Sequence, residues 1–325
     1  MNLRIAIVNS SSFGKYFPEH LERLSGLGEV ARFDFPVNID GKSLADALRG
    51  YNVIIASVKP YFTREFFEHK DELLLLARHG IGVDNVDLNA ARARGVVVTK
   101  VTPWVEREAV AELPVTLLLD ILRMTHEARH AVYESRWAER ARFVGWEIQG
   151  KTVGIIGIGN IGSRVAEILR NGFGANTIAY DPYLHPDTIL ARAAEPVGLD
   201  ELLQRSDIIS LNASLNEGNY HMLSHREFGL MKQGVFLANT ARGELIDEDA
   251  LVAALESGKV AAIGMDVVEG EPIDGNHRLL QYPNVLIVPH IAAYTRESLR
   301  LMGEKVVRDV ESVARGEMPE DVVVP

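Results

Sequence analysis

The chain has 325 residues, 47% of them hydrophobic and 24% charged, the composition of a globular protein with enough apolar material for two domains of roughly 150 residues each. Its formal net charge of −11 repels a phosphate backbone and argues against nucleic acid as a partner, while the lack of cysteine excludes disulfides, thiolate metal sites and a cysteine nucleophile. No apolar run is long enough for a signal peptide or a membrane span, so a cytoplasmic protein with no membrane partner is expected.

The first hundred residues alternate short apolar runs with amphipathic segments. Strands are expected over 5–8, 30–35, 53–57, 74–78 and 96–100, with helices over 18–24, 43–48, 64–69 and 89–94 between them. Alternation of this kind specifies an α/β domain, a parallel sheet covered by helices on both faces. A long apolar helix over 106–124 follows, which Pro114 should kink or truly begin, because it lacks an N–H and clashes with the preceding turn. An Arg-rich stretch with Trp137, Phe143, Val144 and Trp146 then leads into a second alternating region. Its strands are expected over 153–156, 178–181, 208–212, 235–239, 262–266 and 285–289, enough for a complete dinucleotide-binding fold. A last helix over 296–314 packs most simply back onto the first domain, which gives one domain from 1–101 with 296–325 and another from 102–295.

The run Thr152-Val153-Gly154-Ile155-Ile156-Gly157-Ile158-Gly159-Asn160-Ile161-Gly162 joins a buried strand to G-x-G-x-x-G, and Asp181 closes the next apolar run at the spacing of roughly 20 residues that a dinucleotide site requires. Gly157 permits the tight turn, Gly159 lets the backbone approach a pyrophosphate, and Gly162 lets the helix lie close to the sheet. The helix N-terminus then points free N–H groups at the phosphates. Asp181 would accept hydrogen bonds from the adenosine ribose and repel a 2′-phosphate, so the cofactor is expected to be NAD rather than NADP.

Ligands of open α/β sheets bind beyond the carboxyl ends of the strands. Three residues there stand out: Arg242 in Asn239-Thr240-Ala241-Arg242-Gly243-Glu244, Glu271 in Glu269-Gly270-Glu271-Pro272, and His290 in Val288-Pro289-His290-Ile291. The remaining histidines are scattered and make no H-E-x-x-H pair, so no metal site is expected.

The order G-x-G-x-x-G, N-T-A-R-G, D-V-x-E-x-E-P and P-H-I-A resembles the D-isomer-specific 2-hydroxyacid dehydrogenase family, and Arg78-His79-Gly80-Ile81-Gly82-Val83-Asp84-Asn85-Val86-Asp87 is similar to its first-domain signature. The resemblance covers nearly the whole chain. It implies two doubly wound parallel-sheet domains, a flavodoxin-like substrate domain built from both chain ends and a Rossmann NAD-binding domain, with the active site in the cleft. It also implies that Arg242, Glu271 and His290 are catalytic, and that Asn160, Ile161, Asn212, Ala213, Thr240, Ala241 and Asp266 join Gly157, Gly159, Gly162 and Asp181 around the cofactor. In the substrate domain, Gly80, Ile81 and Gly82 would offer backbone N–H groups to the substrate carboxylate. The chemistry agrees. Reducing a 2-keto acid needs a carboxylate clamp, a donor to the carbonyl oxygen and a proton for the alcohol. Arg242 suits the first two tasks, His290 the third, and Glu271 would orient the imidazole and favour its charged form.

Lys59 follows the third predicted strand and Arg78 ends the fourth, and either could hold a distal anion of the substrate. Arg78 and its surroundings resemble the phosphoglycerate dehydrogenase branch, although that branch's usual arginine near the third strand appears here as Ser57. The chain ends soon after the catalytic half, so no C-terminal regulatory domain is expected. Asn212-Ala213-Ser214 replaces a common His-x-Pro, Trp104 a common glycine, Ala109 a frequent hydroxyl residue, and Glu112-Leu113-Pro114 a common Glu-His. Candidate substrates are D-3-phosphoglycerate and the glyoxylate/hydroxypyruvate group. An NAD(H)-sensing, corepressor-like protein on the same scaffold is the alternative. The aromatic residues of 137–146, among arginines, have the composition of an interface core, and family members commonly dimerise through this segment, so a homodimer is expected.

Overall fold

The computed structural model describes residues 3–324. Its strands, in chain order, are β1 Leu3–Val8, β2 Gly28–Phe33, β3 Val53–Ala56, β4 Leu75–Arg78, β5 Val97–Thr99, β6 Thr152–Ile156, β7 Asn176–Tyr180, β8 Glu195–Pro196, β9 Ile208–Leu211, β10 Val235–Asn239, β11 Val260–Met265, β12 Val285–Ile287 and β13 Val322–Val324. The chain divides into two compact units, one made from both chain ends up to Glu106 and from Ala293 onward, the other from Arg107–Ala292.

In the first unit the strand order is β13-β5-β4-β3-β1-β2, parallel except for β13, which runs antiparallel to β5. The parallel part reads 2-1-3-4-5, the flavodoxin-like winding. Alternate residues of β4 enter opposite cores: Leu76 joins Leu44, Phe62 and Phe66, whereas Leu75 and Ala77 join Leu24, Val306 and Val310. Burial on both faces is what makes these strands apolar throughout. The helix Arg296–Ala314, capped by Thr295 on the Ser298 N–H, supplies Val306, Val307 and Val310 to the second core. It is braced against the helix Glu19–Ser25 by Arg23, which bonds Glu304 and both oxygens of Glu311.

The second unit has the order β12-β11-β10-β9-β6-β7-β8, parallel at every pairing. Counted from its own first strand this is 3-2-1-4-5-6 with a seventh strand beyond, the Rossmann winding. The order reverses between β6 and β9. At that switch point the Asn212 N–H donates to the Ile156 carbonyl at 2.8 Å, so the turns after both strands begin side by side. Ligands of doubly wound sheets bind at such a point.

Several elements depart from the sequence expectation. The helix Pro103–Arg123 continues through Pro114 and does not start there. Burial of Ala111, Val115, Leu118, Ile121 and Leu122 in one core outweighs the lost backbone bond. The strands β8 and β13 escaped notice because two and three residues are too few to show a period. β13 is placed by Lys305, buried in the helix Arg296–Ala314, which bonds both oxygens of Asp309 at 2.7 Å and the Glu320 carbonyl at 3.0 Å. β2 ends at Phe33, short of the expected 35, because the Asn9 side chain takes both backbone groups of Phe35 at 2.8 Å in place of a ladder.

Candidate active site

The turn after β6 is shaped by its glycines. Gly157 has φ +84°, and a Cβ there would lie 2.6 Å from the Ala213 backbone; one on Gly162 would lie 2.0 Å from the Gly157 carbonyl oxygen. These two positions are closed by packing. Gly159 differs, since a Cβ there would meet no atom within 4 Å. The open space lies over the N-terminus of the helix Asn160–Phe173, which Gly159 caps without a side-chain bond, so its first N–H groups are left to an anion. The buried Asn212 Oδ1, beside the turn, and Thr240 Oγ1, after β10, have no hydrogen-bond partner, an arrangement that costs stability unless a ligand supplies one. Asp181 accepts from the Ile158 N–H at 3.1 Å and the Tyr183 N–H at 3.0 Å. An open glycine cradle, a helix N-terminus, an acid and waiting polar atoms together fit a dinucleotide.

Arg242, Glu271 and His290 follow β10, β11 and β12 in this same sheet, and the structure brings the three loops together. Asn239, fully buried at the end of β10, donates to the Arg242 carbonyl at 2.8 Å and accepts from the Ala241 N–H at 3.0 Å, which sets the turn that presents Arg242. A Cβ on Gly243 would lie 2.1 Å from the Glu269 nitrogen, so only glycine lets the Arg242 loop press on the Glu271 loop. Glu271 bonds His290 Nδ1 through Oε1 and accepts from the Val268 N–H at 3.3 Å through Oε2. Burial pushes its carboxyl up, but the His290 bond and charge, the Val268 N–H and Arg242 outweigh that and hold it below the usual range. An ionised Glu271 can only accept, so Nδ1 carries the hydrogen and Nε2 is left to exchange a proton with substrate.

His290 has φ +52°, the left-handed region that a non-glycine residue occupies at a cost. Asp266 holds it there. The His290 N–H donates to the Asp266 carbonyl at 2.9 Å, and the Asp266 carboxylate accepts from Ile291 at 2.6 Å and Ala292 at 2.9 Å. Burial raises the Asp266 carboxyl to about 6 against those two amide bonds. The Asp266 carboxylate, which the sequence resemblance put at the cofactor, is buried and holds the backbone beneath His290.

In the first unit the loop after β4 carries Gly80, Ile81 and Gly82. Arg78 is buried, and its guanidinium donates to the Gly82 carbonyl at 2.8 Å and the Ala56 carbonyl at 3.0 Å, shaping the loop. Lys59 is half-buried, within 2.5 Å of the Tyr61 hydroxyl and 3.9 Å from its ring centre. His79 is buried edge-on to Phe13, and burial with the Arg78 and His20 charges lowers its imidazole to about 3. An imidazole that is neutral when folded but protonated below about 6.5 when unfolded stabilises the protein above that pH, and this contribution is lost as pH falls toward 3. Stability should therefore drop with acid by up to about 1.4 kcal/mol per pH unit from this group, and His79→Gln should flatten the fall. Urea midpoints at pH 7 and pH 5 measure it, and equal slopes in both proteins would refute it.

The sequence did not flag Arg192, which reaches the Ile158 carbonyl, or the Glu269 carboxylate, which bonds His221 Nε2 and the Tyr220 hydroxyl at 2.7 Å. Nothing in their local pattern could have done so, since each contact joins residues far apart in the chain. Among the described residues no group of His, Asp or Glu is arranged to hold a metal, and no helix is long and apolar enough to cross a membrane.

Residues 115–292 match the family described as D-isomer specific 2-hydroxyacid dehydrogenase, NAD binding domain. The chain is 40% identical over 261 residues to a hydroxypyruvate reductase of Thermotoga maritima, covering 80% of this chain and 83% of that protein. It is 35% identical over 307 residues to a D-3-phosphoglycerate dehydrogenase of Methanocaldococcus jannaschii; 94% of this chain is covered, but it spans only 58% of that relative. A crystal structure of D-lactate dehydrogenase from Aquifex aeolicus, complexed with NAD and lactic acid, is 28% identical and superposes with a TM-score of 0.86 over 99% of each chain.

Proposed function

The chain belongs to the D-isomer-specific 2-hydroxyacid dehydrogenases, and on that premise we propose that it interconverts a D-2-hydroxy acid and its 2-keto acid by hydride transfer with NAD. The observation that carries this reading is the convergence of Arg242 and the Glu271–His290 pair on consecutive strand ends of the sheet that bears the glycine cradle. NAD accepts or gives the hydride when bound. Arg242 clamps the substrate carboxylate and donates to its carbonyl oxygen as charge develops. His290 gives that oxygen its proton from Nε2, and Glu271 keeps the ring oriented for that transfer. The backbone N–H groups of Gly80, Ile81 and Gly82 are further donors for a carboxylate, in a loop whose shape Arg78 maintains. Glyoxylate, hydroxypyruvate and 3-phosphohydroxypyruvate are the first substrates to test with NADH. Turnover of at least one is expected; binding of NADH with no turnover of any 2-keto acid would replace this reading with that of an NAD(H) sensor.

Lys59, half-buried beside the Tyr61 hydroxyl, is the cation we assign to the phosphate of a phosphorylated substrate. If the substrate carries a phosphate, Lys59→Ala raises its KM and leaves that of glyoxylate unchanged.

We also infer a homodimer. Trp137, Val144 and Trp146 are 68%, 78% and 57% exposed, apolar area that a lone chain leaves in water. Light scattering at micromolar concentration should give twice the chain mass, and Trp137→Glu with Val144→Glu should shift it toward monomer. A wild-type monomer with full activity would sink the idea.

A further inference from the structure

Ile158, the middle residue of the turn after β6, is held from two sides. Its N–H donates to Asp181 Oδ2 at 3.1 Å, and its carbonyl accepts from Arg192 Nη1 at 2.6 Å. Arg192 arrives there by a short excursion of the chain. After β7 the helix Pro186–Ala191 forms, Arg192 caps it, and Ala193 with φ +61° turns the chain back into β8, which pairs with β7. The excursion is fixed at both ends. Ile189 and Ile158 are buried in one core, and the Thr177 hydroxyl bonds the Ala193 carbonyl. The guanidinium is thus delivered to the same residue as the acid expected to bind the adenosine ribose.

Its charge is not spent there. Among the described residues no carboxylate lies within ion-pair distance of Arg192, and the Ile158 carbonyl takes one of its five N–H donors. A planar cation with donors in reserve, beside the N-terminus of the helix Asn160–Phe173, is suited to bidentate pairing with a phosphate. We propose that Arg192 is a second specificity determinant at the adenosine end of the dinucleotide, opposed to Asp181. The carboxylate takes the ribose hydroxyls and repels a 2′-phosphate; the guanidinium is positioned to bind that phosphate once the carboxylate is gone. Preference for NAD then arises because Asp181 overrides a cation, and not because a cation is lacking. This rests on the dinucleotide reading of the site.

The test is direct binding, followed by quenching of protein fluorescence with NADH and NADPH, for the wild type, Asp181→Ser, Asp181→Ser/Arg192→Ala and Asp181→Ser/Arg192→Lys. Asp181→Ser should move the NADPH-to-NADH affinity ratio toward NADPH by about tenfold or more. Adding Arg192→Ala should remove most of that gain while leaving NADH affinity within about threefold of the single variant, a coupling that a mere loop brace would not show. Lysine should retain part of the gain, being a cation without the fork. Binding of NADPH by Asp181→Ser should also weaken more steeply with salt than binding by Asp181→Ser/Arg192→Ala. An affinity ratio independent of residue 192 overturns the proposal, even in an enzyme that reduces keto acids with NADH. A wild type that binds neither dinucleotide overturns the dehydrogenase reading and this proposal with it.

Discussion

Replacing Arg242 with alanine should lower kcat/KM on every keto acid the protein reduces by about a hundredfold or more, a loss on the order of 3 kcal/mol, with KM raised and kcat lowered together. Both constants move because one guanidinium does two tasks: it pairs with the substrate carboxylate before reaction and with the carbonyl oxygen as that oxygen gains charge. The loop itself should survive. Its shape depends on Asn239, whose side chain bonds the Arg242 carbonyl and the Ala241 N–H, main-chain groups that alanine retains. The melting temperature should thus stay near that of the wild type while activity collapses. Lysine at 242 restores charge without the planar fork and should recover only part of the rate. Near wild-type kinetics for Arg242→Ala on every active substrate would remove this residue from the site.

What could be read from the sequence was whatever leaves a local period or a motif. The two parallel sheets announced themselves through strands apolar on both faces, while their windings came from the resemblance to the dehydrogenase family and not from any local pattern. The Arg242, Glu271 and His290 loops were legible because each ends a strand. What stayed hidden depends on contacts between distant residues. An arginine after a strand reads the same whether it faces an anion or, like Arg78, is folded back onto the carbonyls of Ala56 and Gly82. Asp266 likewise reads as one more strand-end acid, and only the left-handed turn at His290 shows why its carboxylate is buried. Pro114 carried a strong local signal, and burial of its helix overrode it.

His290→Gln should lower kcat for keto-acid reduction by about a hundredfold to ten-thousandfold, the usual range for loss of a general acid, and should leave NADH binding close to normal. Glu271→Gln tests how the proton donor is oriented. Burial pushes the Glu271 carboxyl up, yet its bond to His290 and the charge of that ring hold it below the usual range, together with the Val268 N–H and Arg242. A carboxylate only accepts, so it keeps the hydrogen on Nδ1 and leaves Nε2 to the substrate, whereas the amide of glutamine can also donate and admits the wrong tautomer. Glu271→Gln should therefore lower kcat for keto-acid reduction and for hydroxy-acid oxidation alike, by about tenfold or more, with NADH binding close to normal. Wild-type kcat in both directions, in a Glu271→Gln protein that still binds NADH, would show that the two side chains are in contact without cooperating in proton transfer.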